Sequence, residues 1–250
     1  MKQSHLSAIF CITLLGLAAC HDTTPPFTGA IRVANGITDS AGVDVSIKNF
    51  DSFQDIAVDT ASRISFAPED SYTVDLTTNG VTFEISGVSV KHDRVATVFA
   101  YGTLANGSQG AFSVQESLDP PADGHTTMQT VHAAVLVSAT APTLNFYFVK
   151  PGECAATISN ASATGSATFS VTSTAFTLTA STYEICVTDE AGTLLFDSGP
   201  TGIVLPTSNS VNVFQLAAFD TPTDKGNGSS LVLSLLDNNG GSRVLYNLEN

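Results

Sequence analysis

Apolar and polar residues alternate with a period of two along this chain, and turn residues break the alternation at short intervals. Val43, Val45 and Ile47 alternate with Asp44, Ser46 and Lys48, and Tyr72, Val74 and Leu76 with Thr73, Asp75 and Thr77. Successive strand side chains point to opposite faces, so each run predicts a strand with one face buried. Thr78-Asn79-Gly80 then leads into Val81-Thr82-Phe83-Glu84-Ile85. Asn-Gly between alternating runs predicts a tight hairpin, because both residues tolerate positive φ. Helix periodicity is nearly absent, and with 43% hydrophobic and 13% charged residues the chain can bury a core. Runs over 95–101 and 111–118 bring the expectation to about seven strands between residues 30 and 118, a β-sandwich pattern.

Asp119-Pro120-Pro121 opens a stretch that two prolines bar from a central strand. We read 119–130 as a linker, after which the pattern starts again. DSYTVDLTTNGVTFEISG (70–87) aligns with STYEICVTDEAGTLLFDSG (181–199), and RVATVFAYG (94–102) with SVNVFQLAAF (210–219). VQESLD (114–119) aligns with LSLLD (233–237), and VDVSIK (43–48) with LNFYFVK (144–150). Four matches in one order predict two copies of one module, over 30–118 and 131–237. The segment 238–250 contains an apolar run, Val244-Leu245-Tyr246, that reads as an extra strand able to pair with either module.

The opening IRVANGITDSAGVDVSIK, the tyrosine-bearing hairpin, the valine-rich RVATVFAYG and a closing strand ending in Leu-Asp resemble the DUF4397 domain, a family that occurs in exported proteins and lipoproteins, often in tandem. The second copy departs from it at VHAAVLVSATAPTLNFYF, which lacks the early Asn-Gly. The resemblance implies an all-β fold of two tandem immunoglobulin-like antiparallel β-sandwich modules. It implies no catalytic residues.

The first 19 residues have a charged start at Lys2 and an apolar core over Leu6–Gly16, shorter than the roughly 20 residues that cross a bilayer. That is the shape of a secretory signal. Leu17-Ala18-Ala19-Cys20 resembles the bacterial lipobox, which implies cleavage before Cys20, lipid on its sulfur and a membrane anchor. His21 stands where an Asp would retain such a protein at the inner membrane, so the resemblance favours the outer membrane of a Gram-negative envelope. Residues 20–29, with Pro25 and Pro26, read as an extended tether.

The mature chain then carries eight basic against 23 acidic residues, a net charge of −15. So acidic a surface repels nucleic acid and anionic lipid. Any membrane contact is therefore expected through the lipid alone. Cys11 leaves with the signal and Cys20 is lipidated, so Cys154 and Cys186 remain as an even pair, expected as a disulfide in an exported chain. Tyr183, Ile185 and Val187 take the apolar face, which puts Cys186 opposite them with Glu184 and Thr188. A surface-side bridge is expected rather than a core one, and the absence of Trp removes the partner of an antibody-type core disulfide.

The sequence contains no G-x-S-x-G elbow, no H-E-x-x-H and no phosphate-binding glycine loop. His21, His92, His125 and His132 fall in the tether, a turn, the linker and the start of the second module, and read as surface or turn residues. Asp220-Thr221-Pro222-Thr223-Asp224-Lys225-Gly226-Asn227-Gly228 has too few carboxylates, and no bidentate Glu at the needed distance, for a calcium loop. Asn106, Asn160 and Asn227 open glycosylation-type triplets that read as turns. No catalytic, cofactor or metal residues are expected. The function expected is a non-enzymatic envelope lipoprotein with a structural, adhesion or partner-binding role; the alternative is a small-ligand or glycan-binding accessory protein.

Overall fold

The computed structural model describes residues 29–119, 121–205, 213–222 and 229–247. The leader, Cys20 and most of the tether lie outside them. The first module contains β1 (Gly29–Ile37), β2 (Val43–Ile47), β3 (Asp51–Ile56), β4 (Thr60–Ala61), β5 (Ser65–Ala67), β6 (Asp70–Thr78), β7 (Val81–Val90), β8 (Arg94–Gly102) and β9 (Gly110–Ser117). The additional strands beyond the expected seven are the short β4 and β5. They pair with the same side of β1 at different registers.

One sheet runs β4-β1-β8-β9 and the other β3-β2-β6-β7. Alternation places Ile31, Val33, Ala96 and Val98 of the first against Val45, Ile47, Val74 and Leu76 of the second in a single core. The β6–β7 hairpin turns at Asn79 and Gly80 with φ of 48° and 78°, as the Asn-Gly pair predicts.

The second module contains β10 (His125–His132), α1 (Val135–Ser138), β11 (Thr143–Val149), α2 (Cys154–Ile158), β12 (Gly165–Thr168), β13 (Phe176–Thr179), β14 (Thr182–Thr188), β15 (Leu194–Asp197), β16 (Ile203–Val204), β17 (Val213–Asp220), β18 (Leu231–Asp237) and β19 (Ser242–Leu245). Its sheets run β13-β10-β17-β18-β19 and β12-β11-β14-β15. Met128, Leu216 and Leu233 of one meet Phe146, Ile185 and Phe196 of the other. The repeat is visible in detail. Tyr72 Oη donates to the Pro68 carbonyl (3.1 Å) and Tyr183 Oη to the Thr179 carbonyl (2.8 Å), each four residues upstream.

Two expectations are corrected here. The sheets are not wholly antiparallel, because β1 pairs parallel with β8 and β10 with β17. Each pair is joined through the whole opposite sheet, a connection long enough to bring both strands in from the same end. The stretch expected as linker is also shorter, since β10 begins at His125 and its first half, His125–Met128, pairs with β13. Pro120 and Pro121 precede it, which is where prolines leave the ladder intact.

Nor are the modules separated. The outward faces of β1, β8 and β9 pack on those of β10, β17 and β18 through Ala34, Phe99, Val131, Ala217, Phe219, Val232 and Leu236. The result is four stacked sheets, with the β4-β1-β8-β9 and β13-β10-β17-β18-β19 sheets innermost. The C-terminal segment joins the second module, β19 pairing with β18. It also reaches the first, where the Ala61 amide donates to Ser242 Oγ at 3.4 Å.

Candidate functional site

The inter-module seam holds Arg32, the largest fully buried side chain among the described residues. Arg32 stands on the outward face of β1, where alternation assigns a polar residue to solvent, yet the second module covers it completely. Its Nη2 donates to Glu116 Oε1 at 2.6 Å and to Gln215 Oε1 at 3.0 Å, its Nε to Thr97 Oγ1 at 2.9 Å, and its Nη1 to the Asp237 carbonyl. Burial lowers the Arg32 guanidinium from its ordinary value against the pull of Glu116 and Asp237. Burial pushes Glu116 up to about 7, outweighing the attraction of Arg32. Both shifts report the cost of taking an ion pair out of water.

An aromatic seam continues one end of this interface. Phe99 lies 6.1 Å from Phe219, and Tyr101 of the first module meets Phe169 of the second edge-on at 5.2 Å. His132 stacks edge-on against the same Phe169 at 5.6 Å. It is buried, not a surface residue as expected, with Nε2 3.1 Å from the Ala141 carbonyl. Burial holds its imidazole down to about 4, so the ring is neutral near pH 7. His92 sits in an exposed turn, 3.0 Å from Asp93, and His125 opens β10. His21 lies outside the described residues.

Two further carboxylates, Asp39 exposed and Asp220 buried, hold backbone amides. Asp39, in the loop after β1, accepts from Thr103 Oγ1 and from the amides of Leu104 and Ala105. Asp220, at the end of β17, accepts from the amides of Leu136 and Val137 in α1. In both modules a carboxylate ties the loop after the first strand to the end of its parallel partner. Asp220 therefore acts as an anchor, and residues 223–228, which follow it, lie outside the described residues.

Cys154 and Cys186 form a disulfide. Cys186 is on the outer face of β14, as expected, but the bridge is buried, with the cysteines 4% and 0% exposed. The segment carrying α2 folds back over the sheet, where Tyr147, Val149, Ile158 and Ala163 close around the sulfurs. Glu184 fixes that segment. Its Oε2 accepts from the amides of Gly152, Glu153 and Cys154 at 2.7, 3.1 and 3.3 Å. Burial and the nearby Asp197 raise the Glu184 carboxyl, while the Gly152 and Cys154 amides oppose the shift. Cys154, Cys186 and Asp197 bring one ligand atom each within 4.8 Å of one another, and they form the one such cluster of three His, Cys, Asp or Glu residues among the described residues.

A groove of about 640 Å³ opens between β3 and β4, edge strands of the first module's two sheets. Ser52, Gln54, Asp55, Thr60, Ser62 and Arg63 line it. Arg63 lies 5.1 Å over the Phe53 ring and donates to Asp51 Oδ2 at 2.9 Å. Burial works to raise the Asp51 carboxyl, but Ser65, the Ser52 amide and Arg63 outweigh it and hold it low.

Residues 29–147 match the family model described as Domain of unknown function (DUF4397). The chain carries a DUF4397 domain. The match spans the first module and continues through β10 and β11, and the rest of the chain forms a similar second β-rich domain. No curated protein matches the chain. No clear catalytic arrangement occurs among the described residues of the DUF4397 domain or of its companion. Glu116, His132, Glu184 and Asp220 are each engaged by a guanidinium or by backbone groups. No helix among the described residues is long and apolar enough to cross a membrane.

Proposed function

We propose that this chain is a non-enzymatic lipoprotein of a Gram-negative cell envelope, held to the outer membrane by lipid on Cys20 after removal of residues 1–19. Its two modules are immunoglobulin-like sandwiches that serve a structural, adhesive or partner-binding role without nucleic acid or a cofactor. The observation that carries this reading is the four-sheet stack. The buried polar groups described above go to holding loops or to the seam, which suits a rigid body that presents edges and loops to a partner. The paired tyrosine-to-backbone bonds support the sandwich assignment, since a tyrosine corner of this type recurs in such folds.

Labelling with a radioactive fatty acid tests the anchor: label is expected in the mature chain and should be lost in Cys20→Ser. Cross-linking in intact cells followed by pull-down of the full-length protein should recover a specific envelope protein. A second reading, a small-ligand or glycan-binding accessory protein, draws on the polar β3–β4 groove with Arg63 above Phe53. Specific retention on a glycan array, lost in Arg63→Ala, would favour it over the first.

A further inference from the structure

We infer that, once the Cys154–Cys186 bond is reduced, the second module holds a thiophilic divalent cation of the zinc class between the two sulfurs and the Asp197 carboxylate. Both sulfurs, joined in the disulfide, and an Asp197 carboxylate oxygen lie within 4.8 Å of one another. Tetrahedral zinc places sulfur at about 2.3 Å and carboxylate oxygen at about 2.0–2.2 Å, so ligand atoms stand roughly 3.4–3.8 Å apart. On reduction the two sulfurs separate to that spacing while the Asp197 carboxylate closes on them.

Backbone structure sets the placement of all three ligands. Asp197 of β15 lies directly across the ladder from Cys186 of β14. Cys154 is brought to them by the Glu184 carboxylate, which gathers the amides of residues 152–154. Asp197 is itself oriented, its amide donating to Asn247 Oδ1 at 2.8 Å and its Oδ1 accepting from the Gly199 amide at 2.7 Å. Ligands held by such supporting bonds bind metal more tightly. A water completes four-coordination. Tyr147, Val149 and Ile158 shield the sulfurs from solvent.

The first module lacks this chemistry. Its corresponding cross-strand pair is Asp75 and Glu84, with no sulfur beside it. The site thus belongs to the second copy alone.

The conversion balances with a dithiol as reductant. Two electrons and two protons pass to the protein disulfide, giving two thiols, while the reductant closes its own disulfide. Zinc then displaces both thiol protons to give two thiolate ligands. Either state ties α2 to β14, by a covalent clip when oxidised and a metal clip when reduced.

Cobalt(II) added to full-length protein under anaerobic reducing conditions supplies the probe. Reduced protein should take up one equivalent, with thiolate-to-cobalt absorption in the near ultraviolet and tetrahedral visible bands, both erased by zinc. Oxidised protein should bind none, and neither should Cys154→Ser/Cys186→Ser. Asp197→Asn should weaken binding at least about tenfold, the scale of a lost ligand or its support. The oxidised form of that variant, compared with wild type by circular dichroism, checks that it folds. Absence of the thiolate band in reduced wild type would overturn the inference. So would equal affinity in a folded Asp197→Asn, or uptake only by a reduced chain that has lost its β-sheet signal.

Discussion

Arg32 shows at the scale of one residue where sequence and structure part. In Ile31-Arg32-Val33 the period of two correctly sends Arg32 outward, and outward normally means water. The second module covers that face, and alternation within one strand carries no information about what packs on it. The pair Arg32–Glu116 is 0% and 1% exposed, so truncating one partner strands a buried charge. Arg32→Ala should cost about 3–5 kcal/mol in denaturant unfolding, whereas Arg32→Met with Glu116→Leu should be near neutral or stabilising. Glu116 also carries a pH signature. Its folded pKa is raised to about 7 from 4.5, so between those values the folded state keeps a proton that the unfolded state has lost. Its contribution is therefore fully present below pH 4.5 and falls away as pH rises to 7, by on the order of 3 kcal/mol. His132 acts in the opposite sense. With its folded value lowered to about 4, it costs stability as pH falls from 6.5 towards 4. Unfolding midpoints of wild type and Glu116→Gln across pH 4.5–8 separate the two, since only the Glu116 slope should vanish in the variant.

Among the elements, strands and hairpins were legible because each rests on local chemistry. The Asn79-Gly80 turn and the faces of β6 and β14 follow from residues adjacent in sequence. The short α2 was not legible, because Cys-Ala-Ala-Thr-Ile has no helical stripe and forms where the segment folds over β14. The cover it makes turned an expected surface bridge into a buried one. The one sequence signal for it was Glu184, an acid two residues before Cys186 on the same face, whose role needs three amides from a distant loop. Glu184→Ala leaves those amides without their acceptor and should destabilise the second module by about 1–3 kcal/mol. Hydrogen exchange should show the largest acceleration, through local opening, at residues 150–158. Cys154→Ser/Cys186→Ser should cost about 2–5 kcal/mol in the same module.

For the whole molecule, the repeat gave the two modules but not how they meet. Apolar outward residues such as Phe99 and Phe219 were the available sign, and in an isolated sandwich they would be exposed. Their burial makes the two domains one folding unit, because neither inner sheet has its outward face covered without the other. Gly36 of β1 marks a close approach, since a Cβ there would enter the Phe219 ring. Full-length protein should therefore unfold in one calorimetric transition, and Gly36→Val should split it into two by forcing the sheets apart. Phe219→Ala alone should cost about 3–5 kcal/mol through the cavity it leaves. If the contact is the cause, Gly36→Ala combined with Phe219→Ala should cost less than the two single changes added, because the cavity accepts the new methyl group. Two transitions in wild type, or strict additivity in that cycle, would mean that the stacked sheets touch without stabilising one another.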